Sequence, residues 1–153
     1  MKLGDVLKKE RTKAKLEAAE VARRLGVTPE AYAKLESGES DAETWGPALA
    51  RIAIALEVPT SRLLAETGRS ADAKPGRVGA LVKGHRERRS KTAATVAEAT
   101  RLDAEQYERL ERGESPLETV GPQLLAFAEA VEQPIFNLFY PCGLPFEELD
   151  DYP

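Results

Sequence analysis

The sequence predicts an all-α fold made of two consecutive copies of one five-helix unit. Sliding the chain by 75 positions aligns residues 3–68 with residues 78–143 without a gap, and 25 of the 66 aligned pairs are identical. Apolar residues recur at helical spacing in both copies, whereas few windows alternate apolar and polar residues as strands do. Glycine and proline separate the periodic segments, where we expect them to end one helix and begin the next.

The first three helices of the unit are predicted from apolar spacing and from signals at their ends. Leu3 and Leu7 lie one turn apart and indicate the first helix. Gly26 can adopt the left-handed conformation that ends the second helix. Thr28 is a good N-cap for the third helix, which we expect Gly38 to end. The core residues expected on the second and third helices are Val21, Ala22, Leu25, Tyr32 and Leu35.

The fourth and fifth helices follow from a proline-marked start and a second apolar stripe. We expect Gly46 and Pro47 to open the fourth helix, with Glu43 and Thr44 as its cap. A short last helix is expected to end at Gly68. The core residues expected on the fourth helix are Leu49, Ile52, Ala53 and Leu56.

The aligned copies also define the domain boundaries. We expect a first domain over residues 1–68, a linker over 69–76, a second domain over 77–143 and an acidic tail over 144–153. The linker is small, polar and contains Pro-Gly, which is typical of a connection between domains. A linker of this length spans at most about 30 Å when fully extended, so the two domains are expected to be neighbours.

The net charge of −4 lies entirely in the tail. Residues 1–143 are neutral overall, and the last ten residues carry four acids and no base. A neutral body neither supports nor excludes a local basic face that could meet nucleic acid. The aromatic, acidic tail could dock on a basic face, bind a protein partner or remain disordered.

The residues that the sequence lacks exclude several function classes. The single cysteine, Cys142, rules out an internal disulfide framework and a cysteine cluster for zinc. The single histidine, His85, is expected at the surface without a catalytic role, and Trp45 is expected to pack against the core. No segment is long and apolar enough to cross a membrane or direct secretion. We therefore expect a cytoplasmic protein that is not an enzyme and needs no metal or cofactor.

Residues 21–39, VARRLGVTPEAYAKLESGE, are predicted to form a helix, a tight turn and a second helix. This segment resembles the phage-repressor or Xre (Cro-like) family of helix-turn-helix domains, and residues 96–114 resemble the family in the same register. The resemblance implies two tandem lambda-repressor-like domains of five helices each. It also implies a bacterial or phage-like transcriptional regulator that binds double-stranded DNA, with the third helix of each domain in the major groove.

Carried over residue by residue, the resemblance implies a set of DNA contacts in each copy. The candidates for reading base edges are Thr28, Glu30, Lys34, Gln106 and Arg109. The candidates for contacting phosphates are Lys13, Lys15, Ser37, Arg88, Arg89, Lys91 and Arg112. The family also joins the first helix to the third through an ion pair. Its members here are Arg11 with Glu36 and Arg86 with Glu111.

The expected reading surfaces depart from the family pattern. Ala33 offers nothing to a base, and Glu105 and Glu108 meet an electrostatic penalty in the phosphate field of DNA. Ala18 and Ala93 stand where a polar residue commonly contacts phosphate. Basic residues cluster before the second helix of each copy, around Lys13 and Arg88. Each cluster fits phosphate contacts and a solvated helix end equally well. These departures favour two alternatives, a protein-interaction adaptor that no longer binds DNA and a mixed case in which one domain binds it.

The last helix of the second copy differs from that of the first. Residues 135–143, IFNLFYPCG, are apolar nearly all round, and a helix of that kind is usually buried on two sides. In the family, the region after the fourth helix often forms a dimer contact. The candidates for an interface, with the first copy or with a second chain in a homodimer, are Ile135, Phe136, Phe139 and Tyr140.

Overall fold

A computed structural model of the chain describes residues 2–67, 76–133 and 136–142. These residues form ten α-helices and one 3₁₀ helix and contain no strand, which confirms the all-α fold class. The first half holds α1 (Leu3–Lys13), α2 (Ala18–Leu25), α3 (Pro29–Ser37), α4 (Ala42–Leu56) and α5 (Thr60–Thr67). The second half holds α6 (Arg77–Arg88), α7 (Ala93–Thr100), α8 (Ala104–Glu111), α9 (Leu117–Val131), α10 (Phe136–Phe139) and the 3₁₀ helix Tyr140–Cys142. The expected tail, and the linker apart from Gly76, lie outside the described residues.

The local conformations at the helix ends follow the sequence signals. Gly26 (φ 72°) and Gly38 (φ 81°) take the left-handed conformation after α2 and α3. The Thr28 hydroxyl accepts the Ala31 N–H at 3.1 Å and caps α3. In the second half, Arg101 (φ 64°) takes the left-handed position after α7, where a non-glycine residue costs about 1–2 kcal/mol. The core side chains expected on α2, α3 and α4 are all buried.

The predicted start of the fourth helix is wrong by about one turn. α4 begins at Ala42 and contains Pro47, and α9 contains Pro122 in the same way. The helix begins early because the Ser40 hydroxyl accepts the Ala42 N–H at 3.1 Å and satisfies the first turn. Pro47 then lies beyond the first turn, where it removes one hydrogen bond from the helix.

Glu43 and Glu118 do not cap the helices that contain them, which corrects a second expectation. The Glu43 carboxylate accepts the N–H of Leu3 at 3.1 Å and the N–H of Gly4 at 2.6 Å, so it caps α1. Glu118 caps the start of α6 in the same way, at 3.1 and 2.9 Å. A negative side chain is favourable at the positive end of a helix. Each glutamate therefore ties the start of the fourth helix of its half to the start of the first.

The two halves share one hydrophobic core. α4 packs against α7 and α9, and α2 packs against α9, so the second and fourth helices of one half meet the fourth and second of the other. In addition, α1 contacts α10, and α5 contacts α6 and α9. The halves therefore meet through reciprocal contacts, as the subunits of an isologous dimer do.

The last apolar segment packs inside the molecule. Phe139 is completely buried, and its ring lies 3.7 Å from the position that a Cβ on Gly46 of α4 would occupy. Of the two partners expected for this segment, Phe139 therefore meets the first half and is unavailable to a second chain. The other interface candidates lie outside the described part of the structure, namely Ile135 and the side chains of Phe136 and Tyr140.

Phe139→Ala is expected to lower the free energy of unfolding by about 3–5 kcal/mol, because it leaves a cavity between the halves. Urea unfolding followed by Trp45 fluorescence and by circular dichroism measures this change, and the two signals should move together because the core is shared. Leu81→Ala, at a half-buried position of α6, should cost less. A loss below about 1 kcal/mol for Phe139→Ala would contradict its burial between the halves.

Candidate nucleic-acid interface

Helix α3 has one buried side and one exposed side. Tyr32 and Leu35 hold it against the core. The opposite side, with the N-cap, carries the residues exposed to solvent: Thr28, Pro29, Glu30, Ala31, Ala33, Lys34 and Ser37. All the first-half residues expected to read bases are therefore at the surface.

Lys34 is the cation of α3, and its side chain is exposed to solvent. Within the described part of the chain, no hydrogen bond or ion pair engages its ammonium group. The Ser37 hydroxyl donates to the Lys34 carbonyl at 3.2 Å, one turn further along the helix. Thr28 uses its hydroxyl oxygen in the N-cap, and Glu30 is exposed. The first half therefore offers an accessible ammonium group beside two hydroxyls and a carboxylate.

Gln106 is held at the start of α8 by a capping box. Its side-chain oxygen accepts the Asp103 N–H at 3.1 Å, and the Asp103 carboxylate accepts the Gln106 N–H at 2.7 Å. An N-cap of this kind is worth about 1 kcal/mol. Gln106 can therefore accept a hydrogen bond from a base only if it gives up part of that stabilisation, whereas its side-chain N–H groups can still donate one.

Arg109 and Arg112 are exposed and paired with acids of their own half. Arg109 lies 2.8 Å from Glu105, one turn away, and Arg112 lies 3.1 Å from Glu114. Exposed pairs of this type contribute about 0–1 kcal/mol. A phosphate or a guanine edge could recruit either arginine at small cost, but an acid would remain beside it.

An ion pair fixes the first helix of each half to the third. Arg11 Nε and Nη2 lie 2.6 and 3.1 Å from the two carboxylate oxygens of Glu36, and Nη1 donates to the Leu16 carbonyl at 3.0 Å. Arg86 holds Glu111 in the same two-pronged geometry, at 2.6 and 3.0 Å. The structure thus brings together both pairs that the family resemblance assigned. Bidentate pairing of this kind fixes the orientation of α3 and α8.

The ion pairs are expected to make stability depend on pH. Burial opposes ionisation of Glu36, but the hydrogen bonds and the charge of Arg11 outweigh it, so the pKa of Glu36 lies below its usual range. The same holds for the pKa of Glu111 beside Arg86. A carboxylate with a depressed folded-state pKa stabilises the fold fully above the unfolded pKa, and this contribution is lost as the pH falls through the folded pKa.

Glu36→Gln is therefore expected to lower the free energy of unfolding by about 2–4 kcal/mol at pH 7, because it leaves the Arg11 charge unpaired. It should also flatten the loss of stability below about pH 5. Urea unfolding from pH 7 to pH 3 tests both effects. Glu30→Gln is the matched control, since Glu30 is exposed. Equal acid slopes for the two variants would contradict this role for Glu36.

The two lysines among the first-half phosphate candidates lie at and just after the end of α1. Lys13 is 3.8 Å from Glu10, and Lys15 is exposed in the following turn with φ 60°. The arginines of α2 are less available, because Arg23 and Arg24 both bond to Glu20 and hold its pKa at about 2. In this part of the first half, the lysines are therefore more available to a phosphate than the arginines are.

The corresponding arginines of the second half surround His85, which is buried, contrary to the surface position expected for it. Arg88 and Arg89 each place a nitrogen 3.2 Å from His85 Nδ1, and Nε2 lies 3.1 Å from Glu66 of α5. Because arginine is only a donor, Nδ1 accepts and Nε2 donates to Glu66. The contact between α5 and α6 buries the ring, and no apolar pattern marks it. Lys91 is half-buried and adds its carbonyl, at 2.9 Å, to Arg86.

Lys8 and Lys83 belong to the basic clusters before the second helix of each copy but were not named as phosphate candidates, and they lie beside the exposed helices. Lys8 lines a groove with Ser37, and its charge favours the ionised form of Glu36. Lys83 acts on Glu111 in the same way. Each lysine stands three residues before the arginine of the ion pair, so helical spacing places it on the same side of the first helix.

Two grooves flank α3. The first, of about 340 Å³, lies between α1, α2 and α3, and its walls include Lys8, Ala18, Pro29, Ala33 and Ser37. The second, of about 550 Å³, lies between α3 and the connection from α8 to α9. Its walls include Lys34, Asp41, Glu114, Pro116 and Gln123. Lys34 therefore borders the second half, whereas Ala33 faces the first groove.

Residues 2–70 match the family model of a helix-turn-helix domain. The matched segment, which is under half of the chain, is thus similar to helix-turn-helix domains, whose typical members bind DNA. It contains α1 to α5, in which a tight turn joins α2 to α3. No curated protein and no solved structure gave a significant match to the chain.

The described residues contain neither a membrane-spanning helix nor a group of metal-ligand side chains. No helix there is long and apolar enough to span a bilayer. No group of three or more His, Cys, Asp and Glu side chains gathers in that part of the chain as metal ligands. Trp45 is half-buried and packs against the core.

Proposed function

We propose that the chain is a sequence-specific, DNA-binding transcriptional regulator with two tandem Xre-like helix-turn-helix domains, at residues 1–68 and 77–143. The exposed side of α3 carries this proposal, together with the ammonium group of Lys34, which has no ion pair within the described part of the chain. A regulator of bacterial or phage type would act in the cytoplasm on double-stranded DNA. Base edges would be read from Thr28, Glu30 and Lys34, and Lys13, Lys15 and Lys8 would approach phosphates.

The reciprocal packing of the halves supports a single chain that works as a dimer does. Paired half-sites are usually read by two identical subunits related by two-fold symmetry. Here the two reading helices carry different residues, with Lys34 on α3 and Arg109 on α8 at matching positions. An asymmetric DNA site is therefore expected for one chain, without a palindrome.

A mixed function is the second candidate, in which α3 reads DNA and α8 binds a protein. The bonding of Gln106, Arg109 and Arg112 within their own half favours it. The acids of α8 favour it as well, since carboxylates are repelled by phosphates. A partner for this face would carry basic residues.

Binding of the full chain to sheared genomic duplex DNA, measured by fluorescence anisotropy from 50 to 300 mM salt, tests the proposal. We expect a Kd of about 1–100 μM for non-specific binding. The affinity should fall steeply as salt rises, because phosphate contacts release counterions. Lys9→Gln, on the exposed side of α1, is a control for loss of one positive charge. Absence of binding at the lowest salt would refute the proposed DNA-binding regulator. It would favour a protein-interaction adaptor that no longer binds DNA.

A further inference from the structure

The groove between α1, α2 and α3 has an apolar floor, and its charged walls are Lys8 and Glu36, of which Glu36 is paired with Arg11. Ala18, Ala19, Pro29 and Ala33 line it, and all four are exposed. Small apolar residues at the surface of a helix-turn-helix leave room for a bulkier side chain from elsewhere. Lys8 stands on the wall opposite α3.

The start of α2 lies beside the groove. Glu17, an exposed acid, occupies the N-cap of α2 but makes no side-chain cap hydrogen bond. The first N–H groups of the helix, at its positive end, therefore have no side-chain cap within the described residues. In the second half the matching helix α7 differs, because the Thr92 hydroxyl accepts the Thr95 N–H at 3.1 Å.

The described chain ends close to this groove. Cys142 is half-buried in the 3₁₀ helix, which packs against α1. Burial, and then the nearby Glu43 carboxylate, raise the pKa of the Cys142 thiol. Glu43 and Lys2 both lie against Gly38, at the end of α3, and Ser37 next to it lines the groove. The described chain thus ends, at Cys142, on the side of the molecule where α1 meets the end of α3.

The tail is long enough to enter the groove and carries the complementary charge. Phe146 lies four residues beyond Cys142, a reach of about 14 Å, and residues 144–153 could extend about 35 Å. The tail holds four acids and no base, with Phe146 at one end and Tyr152 at the other. Lys2 and Lys8 border the route.

We infer that the C-terminal segment, residues 144–153, docks in the groove between α1, α2 and α3 of its own chain. Phe146 fills the apolar floor over Ala33, and the carboxylates that follow lie against Lys8 and the start of α2. The second half is a poorer host, since Glu108 stands where Ala33 does and would repel the tail. Because Pro29, Ala33 and Ser37 belong to the reading surface, the docked tail covers it. This consequence for DNA rests on the proposed function, whereas the docking itself does not.

Photo-cross-linking of the full chain tests the docking without DNA. A p-benzoylphenylalanine replacing Phe146 should cross-link to residues 18–37 of the same chain. Ala33→Glu puts a carboxylate on the groove floor and should lower the yield at least about fivefold. Ala99→Glu is the matched control, an equal change at an exposed alanine of α7, and should leave the yield unchanged.

Cross-links to the second half, cross-links between two chains, or a yield indifferent to Ala33→Glu would each overturn the docking. A separate measurement addresses DNA, with all four tail acids changed to their amides. If the tail covers the groove in about nine molecules of ten, this variant should bind DNA about tenfold more tightly than the parent chain. Failure of both proteins to bind DNA would refute the proposed function and leave the cross-linking result standing.

Discussion

Gly4→Ala is expected to lower the free energy of unfolding of the chain by about 3 kcal/mol or more, because α1 lies against the backbone of α3 at this position. A Cβ at Gly4 would lie 2.5 Å from the Glu36 carbonyl oxygen and 2.6 Å from the Leu35 carbonyl oxygen. Both are backbone atoms of α3, so no side chain can rotate to make room. The helices must separate, which costs about 3 kcal/mol or more and weakens the ion pair between them.

Gly79→Ala should have the same effect in the second half, where the new Cβ would lie 2.3 Å from the Leu110 carbonyl oxygen. Gly84→Ala is the matched control, because its Cβ would meet only the mobile end of the Arg88 side chain. In a helix interior that change should stabilise by about 0.5–1 kcal/mol. Circular dichroism during urea unfolding measures all three variants. A Gly4→Ala protein as stable as the parent chain would contradict the close contact of α1 with α3.

Lys34→Glu is expected to lower DNA affinity by about 100-fold, because it removes a base contact and places a carboxylate in the phosphate field. Arg109→Glu should cost about tenfold or less, since the Arg109 guanidinium already faces Glu105. Both positions are exposed, so neither change should alter the free energy of unfolding by more than about 0.5 kcal/mol.

Fluorescence anisotropy on one duplex at one salt concentration gives the two affinities, and urea unfolding verifies that both variants fold. Equal losses for Lys34→Glu and Arg109→Glu would favour two reading helices of equal weight. No loss for either would contradict a role of α3 and α8 in DNA binding.

Much of the fold could be predicted because local signals and tertiary contacts agree. Thr28, Gly26 and Gly38 set the ends of α2 and α3 through their own backbone preferences. Leu25 and Leu35 lie on helical stripes that mark the core. The starts of α4 and α9 could not be predicted in the same way. α4 begins at Ala42, with the Ala42 N–H bonded to the Ser40 hydroxyl, and therefore before Pro47, although proline is favoured in the first turn of a helix.

The errors at the candidate site arise from contacts between residues distant in sequence. Glu43 caps a helix about forty positions away, which no local signal reveals. His85 is buried at the contact of α5 with α6, and Glu10 at the matching position of the first copy is buried too, although a charged or titratable residue there does not indicate burial in the sequence. The internal bonding of Gln106 was also missed, even though the Asp103–Gln106 spacing fits a capping box. Phe139 was predicted to lie at an interface, but the packing of its ring near Gly46 of the first half could not be predicted from the sequence.

Amide hydrogen exchange of the full chain, with and without saturating duplex DNA at low salt, tests whether α3 is the DNA-reading helix. We expect DNA to slow exchange at the start of α2 and along α3, with a smaller effect or none on α8. The amides of α4 and α9, which face the other half, should be unchanged. Protection confined to α8 or to the α4–α9 contact, or no protection anywhere, would contradict the claim that α3 is the DNA-reading helix.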